Sequence, residues 1–201
     1  MRVKSEEKRL EILAIATEVF REKGYADASM NEIASRVGGS KSTLYNYFPS
    51  KEDLFVATMM ELARLTSNPL LEELERAADV EQGLRHFVFG TMALLCTPEA
   101  IDFRRMVISE AGHLNLSKLI YEPGTNQHRK RYSEFFKTKI KEGFFCEADP
   151  WQAAIHLNSL CFGSPVQEVL EGVIENISEQ EIKKAANEAV DFYLKAYGNK
   201  S

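Results

Sequence analysis

The apolar positions of the chain recur at helical spacing from its first residues onward. One stripe of mostly apolar positions is formed by Leu10, Leu13, Ala14, Thr17 and Phe20. Intervals of three and four residues place side chains on one helix face, and Gly24 stands where a glycine commonly ends a helix. No alternating run of β-branched residues is bounded by Asn-Gly or Asp-Gly. The pattern therefore predicts helices and no sheet.

Two short helices are predicted after this first one. Ser29 and Glu32 have the spacing of a capping box, and the helix that they open ends at Gly38-Gly39. Ser40 is the expected N-cap of the next helix, which Pro49 ends. A tight glycine turn between two short helices is typical of the helix-turn-helix unit, whose second helix enters the DNA major groove.

The remaining pattern predicts longer helices. A fourth helix starts at residue 51 and is expected to break near Pro69. Further helices are expected over about 80–96, 98–114, 116–121, 125–142, 150–163 and 179–197. The prediction is an all-α fold of about nine helices, in which residues 1–50 form a three-helix DNA-binding unit. Residues 51–201 are expected to form a larger helical domain for effector binding and dimerisation.

Charge is distributed unevenly along the chain. Of the 201 residues, 25 are basic and 30 acidic, which gives a net charge of −5. Residues 1–51 nevertheless contain nine basic and seven acidic residues, and residues 33–51 contain no carboxylate at all. Cationic side chains supply most of the sequence-independent affinity for DNA, because they neutralise phosphates. The acid-free stretch therefore supports a DNA-binding role for the predicted helix-turn-helix unit.

Donors for phosphates and base edges are concentrated in the same stretch. The candidate DNA-binding residues are Ser29, Ser40, Lys41, Ser42, Thr43, Tyr45, Asn46, Tyr47 and Lys51. Asn46 and Thr43 are the preferred candidates for base contacts, while Phe48 is more readily explained as core. Lys51 begins the fourth helix, where its charge and the N-terminal amides are both expected to meet a phosphate.

Other classes of protein find little support in the sequence. The four histidines form no H-E-x-x-H motif, and no G-x-S-x-G, Walker A or G-x-G-x-x-G sequence occurs, so we expect neither an enzyme nor a metal or cofactor. The three cysteines form no C-x-x-C pair, and free thiols suit a reducing compartment. No segment is apolar enough to span a bilayer. We therefore expect a cytoplasmic protein without a membrane partner.

Residues 29–55, SMNEIASRVGGSKSTLYNYFPSKEDLF, resemble the DNA-binding signature of the TetR family of bacterial transcriptional regulators. The resemblance extends over about residues 8–56 and departs from the family at Gly39, where an apolar residue is more usual. Residues 103–111, Tyr121-Glu122 and Asp149-Pro150 are similar to the AefR-like group of effector domains. The resemblance implies a homodimeric repressor on a palindromic operator of double-stranded DNA, which a small molecule releases.

An excess of aromatic and methionine side chains follows in the C-terminal part, where an apolar or aromatic effector is expected to bind. The candidate lining residues are Phe89, Met92, Phe103, Met106, His113, Tyr132, Phe136, His156, Asn158 and Phe162. Within the family, a polar group in an apolar cavity often orients the ligand, which draws attention to His113, His156 and Asn158. For each apolar residue, a place in a solid core is an equally good interpretation.

Two further surfaces have alternative interpretations. Residues 126–141 carry six basic side chains and one acidic one, which suits either a second nucleic-acid patch or, more readily, the solvated face of an amphipathic helix. Two apolar faces, on residues 153–161 and 182–194, are candidates for a dimer interface or for packing within the chain. The alternative to a regulator is a helical protein-interaction module, which would not require the acid-free stretch around Lys41.

Overall fold

The computed structural model describes residues 5–110 and 126–199, apart from the side chains of Glu110, Gln127 and His128. Over these ranges the chain forms ten α-helices and no extended strand, which confirms the predicted all-α class. The helices are α1 (Glu6–Asp27), α2 (Met30–Arg36), α3 (Lys41–Tyr47), α4 (Lys51–Arg76), α5 (Val80–Leu95), α6 (Pro98–Glu110), α7 (Gln127–Lys141), α8 (Pro150–Cys161), α9 (Val166–Glu171) and α10 (Glu179–Tyr197). None of the described helices is long and apolar enough to cross a membrane.

The helices α2 and α3 begin and end where the sequence predicts, whereas α1 continues past the expected end at Gly24 to Asp27. The Ser29 side chain accepts a hydrogen bond from the Glu32 amide, and the Ser40 side chain accepts one from the Thr43 amide, so each serine caps its helix. Gly38 has a φ of 68° between α2 and α3, in the left-handed region that glycine occupies without strain. Gly24, with a φ of 76°, interrupts the helical geometry near the end of α1.

The expected break near Pro69 is wrong, because α4 continues through the proline to Arg76. A proline inside a helix leaves the carbonyl group four residues earlier without its amide partner. That carbonyl belongs to Leu65, and both Leu65 and Pro69 lie on the exposed side of the helix. Water can bind the carbonyl there, so the helix tolerates the proline.

Two compact units emerge from the contacts within the chain. Of the residues that the structure describes, the first unit comprises 5–64 and 102–110, and the second comprises 65–101 and 126–199. The first unit includes the start of α4 because Leu54 and Phe55 are fully buried in the same core as α1 to α3. It also includes most of α6, and the division therefore differs from an expected boundary between residues 50 and 51.

The core of the second unit is built on its aromatic residues. Phe136 of α7 packs against Phe145 and Tyr193, with ring centroids 5.2 and 5.6 Å apart, respectively. The buried Tyr193 hydroxyl donates a hydrogen bond to the Ala153 carbonyl, which ties α10 to α8. The helix α10 begins with the predicted capping box of Ser178 and Glu181.

Candidate nucleic-acid interface

The helix α3 has one buried side and one exposed side. Leu44 is buried in the core of the first unit and anchors the helix. Lys41, Ser42, Tyr45 and Asn46 are all exposed, and Tyr45 retains 46% of its accessible surface. Because these positions lie at i, i+1, i+4 and i+5, they share one face. The helix therefore presents a polar surface with a cation and an aromatic ring.

Hydroxyl groups cluster where α3 begins. The Ser40 hydroxyl lies 2.7 Å from that of Ser42 and 2.9 Å from that of Thr43. Thr43 is half-buried, whereas Ser29 and Ser42 are exposed. The two α3 hydroxyls are thus oriented by the serine that caps the helix, and Asn46 is the more exposed of the two candidates for base contacts.

The end of α3 is fastened to the start of α1. The Tyr47 hydroxyl accepts a hydrogen bond of 2.9 Å from the Ser5 amide. The neighbouring Phe48 is buried, which confirms its interpretation as a core residue. Lys8 adds a second tie, since its ammonium group donates to the Val37 carbonyl between α2 and α3. These contacts tie the end of α3, and the end of α2 before the glycine turn, to the first residues of α1 and its N-cap.

Lys51 has an internal role that the sequence does not suggest. Its ammonium group donates hydrogen bonds to the carbonyl oxygens of Tyr25, Ala26 and Ala28, at 2.7, 3.1 and 3.0 Å. It also lies 4.3 Å from the centroid of the Tyr25 ring. An ammonium group has three donors, and all three are used within the chain. The geometry therefore favours a structural role for Lys51 over the expected phosphate contact.

The other cations near α3 differ in how far they are neutralised. The Arg36 guanidinium forms ion pairs with Glu22 at 2.6 Å and with Glu32 at 2.9 Å, and Glu32 also pairs with Lys23. Hydrogen bonds from Arg36 and Lys23 lower the pKa values of the Glu22 and Glu32 carboxyl groups, respectively. Within residues 5–110 and 126–199, Lys41 forms no ion pair. Lys41 is therefore the α3 cation that is available to a phosphate.

Two of the predicted effector residues belong to the first unit. Phe103 is buried there, with its ring centroid 5.5 Å from that of Phe55, and Met106 packs against the same core. The assignment of Phe103 and Met106 to effector binding stays a prediction, but the two side chains pack with the first unit and not with the core of the second. The reason is that α6 contributes its apolar side from Asp102 onward to the core around α4.

The remaining predicted effector residues occupy three kinds of environment in the second unit. Met92 and Phe136 are buried in its core. His156 is exposed and bonds through Nδ1 to the Tyr197 hydroxyl, so it does not point into an apolar cavity as expected. Four residues are half-buried, namely Phe89, Tyr132, Asn158 and Phe162. His113 lies outside the described residues.

Tyr132 is the most distinctive of the half-buried residues. Burial raises the pKa of its hydroxyl well above the usual value, so the group stays neutral and can donate a hydrogen bond. Its ring meets Phe87 edge to face at 5.4 Å. A hollow of about 520 Å³ opens beside the other side of α7, between Glu75, Arg131, Phe135 and Lys139. That hollow is lined mainly by charged side chains, and none of the predicted effector residues lines it.

The basic stretch on α7 is compensated by neighbouring acids. Arg131, Lys137 and Lys139 pair with Glu75, Glu134 and Glu142 at 3.0, 3.3 and 2.7 Å. Phe135 and Phe136 of the same helix are buried in the core of the second unit. This arrangement favours a solvated face of an amphipathic helix over a second nucleic-acid patch.

Comparisons with known proteins agree with this architecture. Residues 12–58 match the model of the bacterial regulatory proteins of the tetR family, and residues 82–199 match that of the AefR-like transcriptional repressor C-terminal domain. A crystallised putative TetR-family regulator from Mesorhizobium loti is 29% identical, with a TM-score of 0.85 over 98% of this chain and 100% of that one. The flavonoid-responsive regulator FrrA is 27% identical, with a TM-score of 0.76 over the same shares of the two chains.

A curated relative is similar over a shorter range. The transcriptional activator FasR of Mycolicibacterium smegmatis is 37% identical over 84 residues, which are 42% of this chain and 38% of that protein. The match thus spans well under half of the relative. The C-terminal family model alone covers more than half of the present chain. The chain therefore belongs to the TetR family of transcriptional regulators, with an AefR-like C-terminal domain, and it is a DNA-binding regulator rather than an enzyme.

Proposed function

We propose that the protein is a dimeric repressor that leaves a palindromic operator when a small, mostly apolar or aromatic effector binds. The observation that carries the proposal is the exposed polar face of α3, which the buried Leu44 anchors and which hydrogen bonds at Tyr47 and Val37 tie to the start of α1. We assign DNA contacts to Ser29, Ser42, Tyr45 and Asn46, and a phosphate contact to Lys41. We assign to Ser40, Thr43 and Tyr47 the orientation of these groups and contacts with the DNA backbone.

The first experiment tests DNA binding and the symmetry and spacing of the half-sites. The wild-type protein selects duplexes from a random-sequence pool, and the DNA upstream of its own gene is tested beside them. We expect an inverted repeat with half-sites about one helical turn apart, because two symmetric recognition helices read such a site. Selection of a single, non-repeated half-site would contradict binding as a dimer, and failure to enrich any sequence would contradict the operator itself.

A dimer requires a surface that the chain does not use for itself. The buried members of the two candidate faces are poorly placed to supply it, because Ala153, Leu157, Ala186 and Val190 pack in the core of their own second unit. The opposite side of α10 carries Phe192, which retains 64% of its accessible surface. We assign the dimer contact to this side, since burial of a large exposed ring favours association.

A charge on this side tests the assignment. The variant Phe192→Glu should sediment as a monomer at micromolar concentration and bind its operator weakly, because a buried carboxylate without a partner opposes association. The matched control is Val173→Glu, which places the same charge on an apolar residue that is 69% exposed and outside α10. A monomeric wild-type protein, or a dimeric Phe192→Glu variant, would contradict the assignment.

Effector binding is assigned to the second unit. The half-buried Phe89, Tyr132, Asn158 and Phe162 combine apolar surface with two polar groups, as ligand sites commonly do. The flavonoid-responsive relative supports an aromatic effector. Flavonoids and fatty acids of several chain lengths are therefore added to the complex of protein and operator. We expect at least one class to lower DNA affinity by about 5–150-fold, the usual range of allosteric coupling, and an unchanged affinity across both classes would contradict the proposal.

A further inference from the structure

We infer that Lys51 is a positioning residue for DNA binding, which fixes the helix-turn-helix unit on α4 from inside the protein. This inference rests on the proposed operator binding and adds a residue to it. The ammonium group is bound by three carbonyl oxygens of residues 25–28, a turn formed by the last residues of α1 and its link to α2, at 2.7–3.1 Å. Hydrogen bonds from a charged donor are about twice as strong as neutral ones. Lys51 thus joins the first residue of α4 to that turn.

The turn is a part of the recognition unit. Ala28, whose carbonyl oxygen Lys51 binds, directly precedes Ser29, the N-cap of α2. The helix α2 in turn packs against α3. A displacement of the turn is therefore passed to the helices that face DNA, even though Lys51 itself faces inward.

A second set of contacts holds the same turn against α4. The Tyr25 ring lies between the Lys51 ammonium group, at 4.3 Å from its centroid, and the Phe55 ring, which it meets edge to face at 5.0 Å. Tyr25 is 2% exposed. The ring contacts hold the turn close to α4, and the three hydrogen bonds fix its orientation. Without the ammonium group the turn keeps its apolar contacts, but it loses the three N–H donors that align its carbonyl oxygens.

The convergence of the carbonyl oxygens explains why this position carries a lysine. Three acceptors that point at one centre suit a compact ammonium group, whose three N–H bonds diverge from a single nitrogen atom. A guanidinium group is planar and spreads its five donors over three nitrogen atoms. An arginine at position 51 would keep the charge and could still meet a phosphate, but it could not satisfy the three carbonyl oxygens together. The two roles therefore predict opposite results for one conservative substitution.

The experiment measures the operator affinity of Lys51→Met and Lys51→Arg over a range of NaCl concentrations by fluorescence anisotropy. The probe is a duplex that the wild-type protein has selected. Both variants should bind about tenfold more weakly, as when a binding-competent arrangement is populated one-tenth of the time. The slope of log K against log [NaCl] should stay at its wild-type value, because no phosphate contact is lost. The control is Lys41→Met, in which the slope should become shallower by about one unit per protomer.

Amide hydrogen exchange in the absence of DNA gives an independent result. We expect faster exchange over residues 26–33 in Lys51→Met and unchanged exchange in α10, with a cooperative melting transition in both variants. The inference would be overturned if the salt slope of Lys51→Met became shallower as in Lys41→Met, or if Lys51→Arg bound with full affinity. Unchanged affinity of Lys51→Met, or unchanged exchange in its turn, would overturn it as well. If the wild-type protein selects no duplex, operator binding fails, and the exchange measurement still decides whether Lys51 orders the turn.

Discussion

Two adjacent glycines between α2 and α3 have different requirements. Gly38 has a φ of 68°, which a residue with a Cβ atom adopts only with strain. Gly39 has no such angle, and a Cβ atom there would meet Thr43 and Val37 at ordinary distances of 3.9 Å. The departure from the family pattern at Gly39 therefore leaves the turn intact, since the usual apolar residue would fit the same backbone.

Alanine at the two positions should consequently change the free energy of unfolding in opposite directions. Gly38→Ala should lower the free energy of unfolding by about 1 kcal/mol or more, because the native backbone is strained. Gly39→Ala should raise it by about 0.4–1 kcal/mol, because the unfolded chain loses freedom. Urea denaturation of both variants against the wild type measures the difference. Equal destabilisation by the two substitutions would show that the turn geometry is not as described.

The thiol of Cys161 should be unreactive in the folded protein. The side chain is 1% exposed, and burial raises its pKa to about 12. Since the thiolate is the nucleophile, an alkylating reagent at pH 8 should modify Cys161 only at the rate of unfolding. Cys96 and Cys146 are half-buried and should react sooner. Mass spectrometry of peptides over time in iodoacetamide measures the order, and early modification of Cys161 would refute its burial.

At the scale of single residues, the sequence predicts caps and turns better than contacts. Ser29 and Ser40 cap helices with their own side chains, and Gly38 permits the turn because it has none. Local spacing in the sequence is therefore enough to predict these three roles. The partners of Lys51 are backbone carbonyl oxygens, which leave no trace in the amino-acid sequence. The sequence therefore predicts a phosphate contact for a lysine at the start of a helix near the DNA-binding unit, whereas its internal partners depend on the three-dimensional fold.

At the scale of helices, α8 and α10 are joined by one buried polar contact within an aromatic core. The Tyr193 hydroxyl donates to the Ala153 carbonyl at 3.0 Å, and the ring packs on Phe136 and Phe145. Tyr193→Phe keeps the ring contacts and removes the donor. It should lower the free energy of unfolding by about 1 kcal/mol, the usual net value of an intramolecular hydrogen bond.

The neighbouring Tyr197 provides the matched control. Its hydroxyl bonds to the exposed His156 and can be replaced by water, so Tyr197→Phe should change stability by less than about 0.5 kcal/mol. Chemical denaturation followed by far-UV circular dichroism compares the two variants. A Tyr197→Phe variant that is the less stable of the two would reverse our ranking of these contacts.

The helices themselves were largely predictable, but their partners were not. Amphipathic spacing locates the helices of the described ranges with two exceptions: it misses the short α9, and it does not predict that α4 continues through Pro69, which depends on solvent at one carbonyl group. Periodicity identifies the apolar side of α6 without indicating which core that side joins. Spacing alone therefore places Phe103 and Met106 with the other candidate effector residues, whereas in the structure they pack with the DNA-binding helices.

At the scale of the whole molecule, an acidic chain must bind a polyanion through a small cationic area. The net charge is −5, and Arg36 is already neutralised by Glu22 and Glu32. Arg36→Met should therefore leave the salt slope of operator binding unchanged to within about 0.3 units, since no counterion release is lost with it. Salt titration by anisotropy measures this slope. A salt slope that becomes shallower by one unit per protomer would show that Arg36 contacts a phosphate.

The carboxyl groups of the same network, those of Glu22 and Glu32, should make the stability of the protein depend on pH in one direction. Arg36 and Lys23 lower the folded-state pKa values of Glu22 and Glu32 below the ordinary value of 4.5. A lowered pKa contributes stability above the unfolded-state value, and this contribution is lost as the pH falls through the folded-state value. The difference in stability between wild type and Arg36→Met should thus be present at pH 7 and be lost in acid, as the pH falls below the ordinary value of 4.5 and through the lowered folded-state values. Denaturation series at several pH values measure this loss.

The carbonyl cage around Lys51 also has a consequence for the evolution of such proteins. Every amino acid supplies a carbonyl oxygen, so substitutions at the exposed Ala26 can accumulate without disturbing the cage. Selection then acts on position 51 alone, and no second position needs to change with it. A comparison of related sequences would show an invariant lysine without a covarying partner, a pattern easily mistaken for direct contact with DNA.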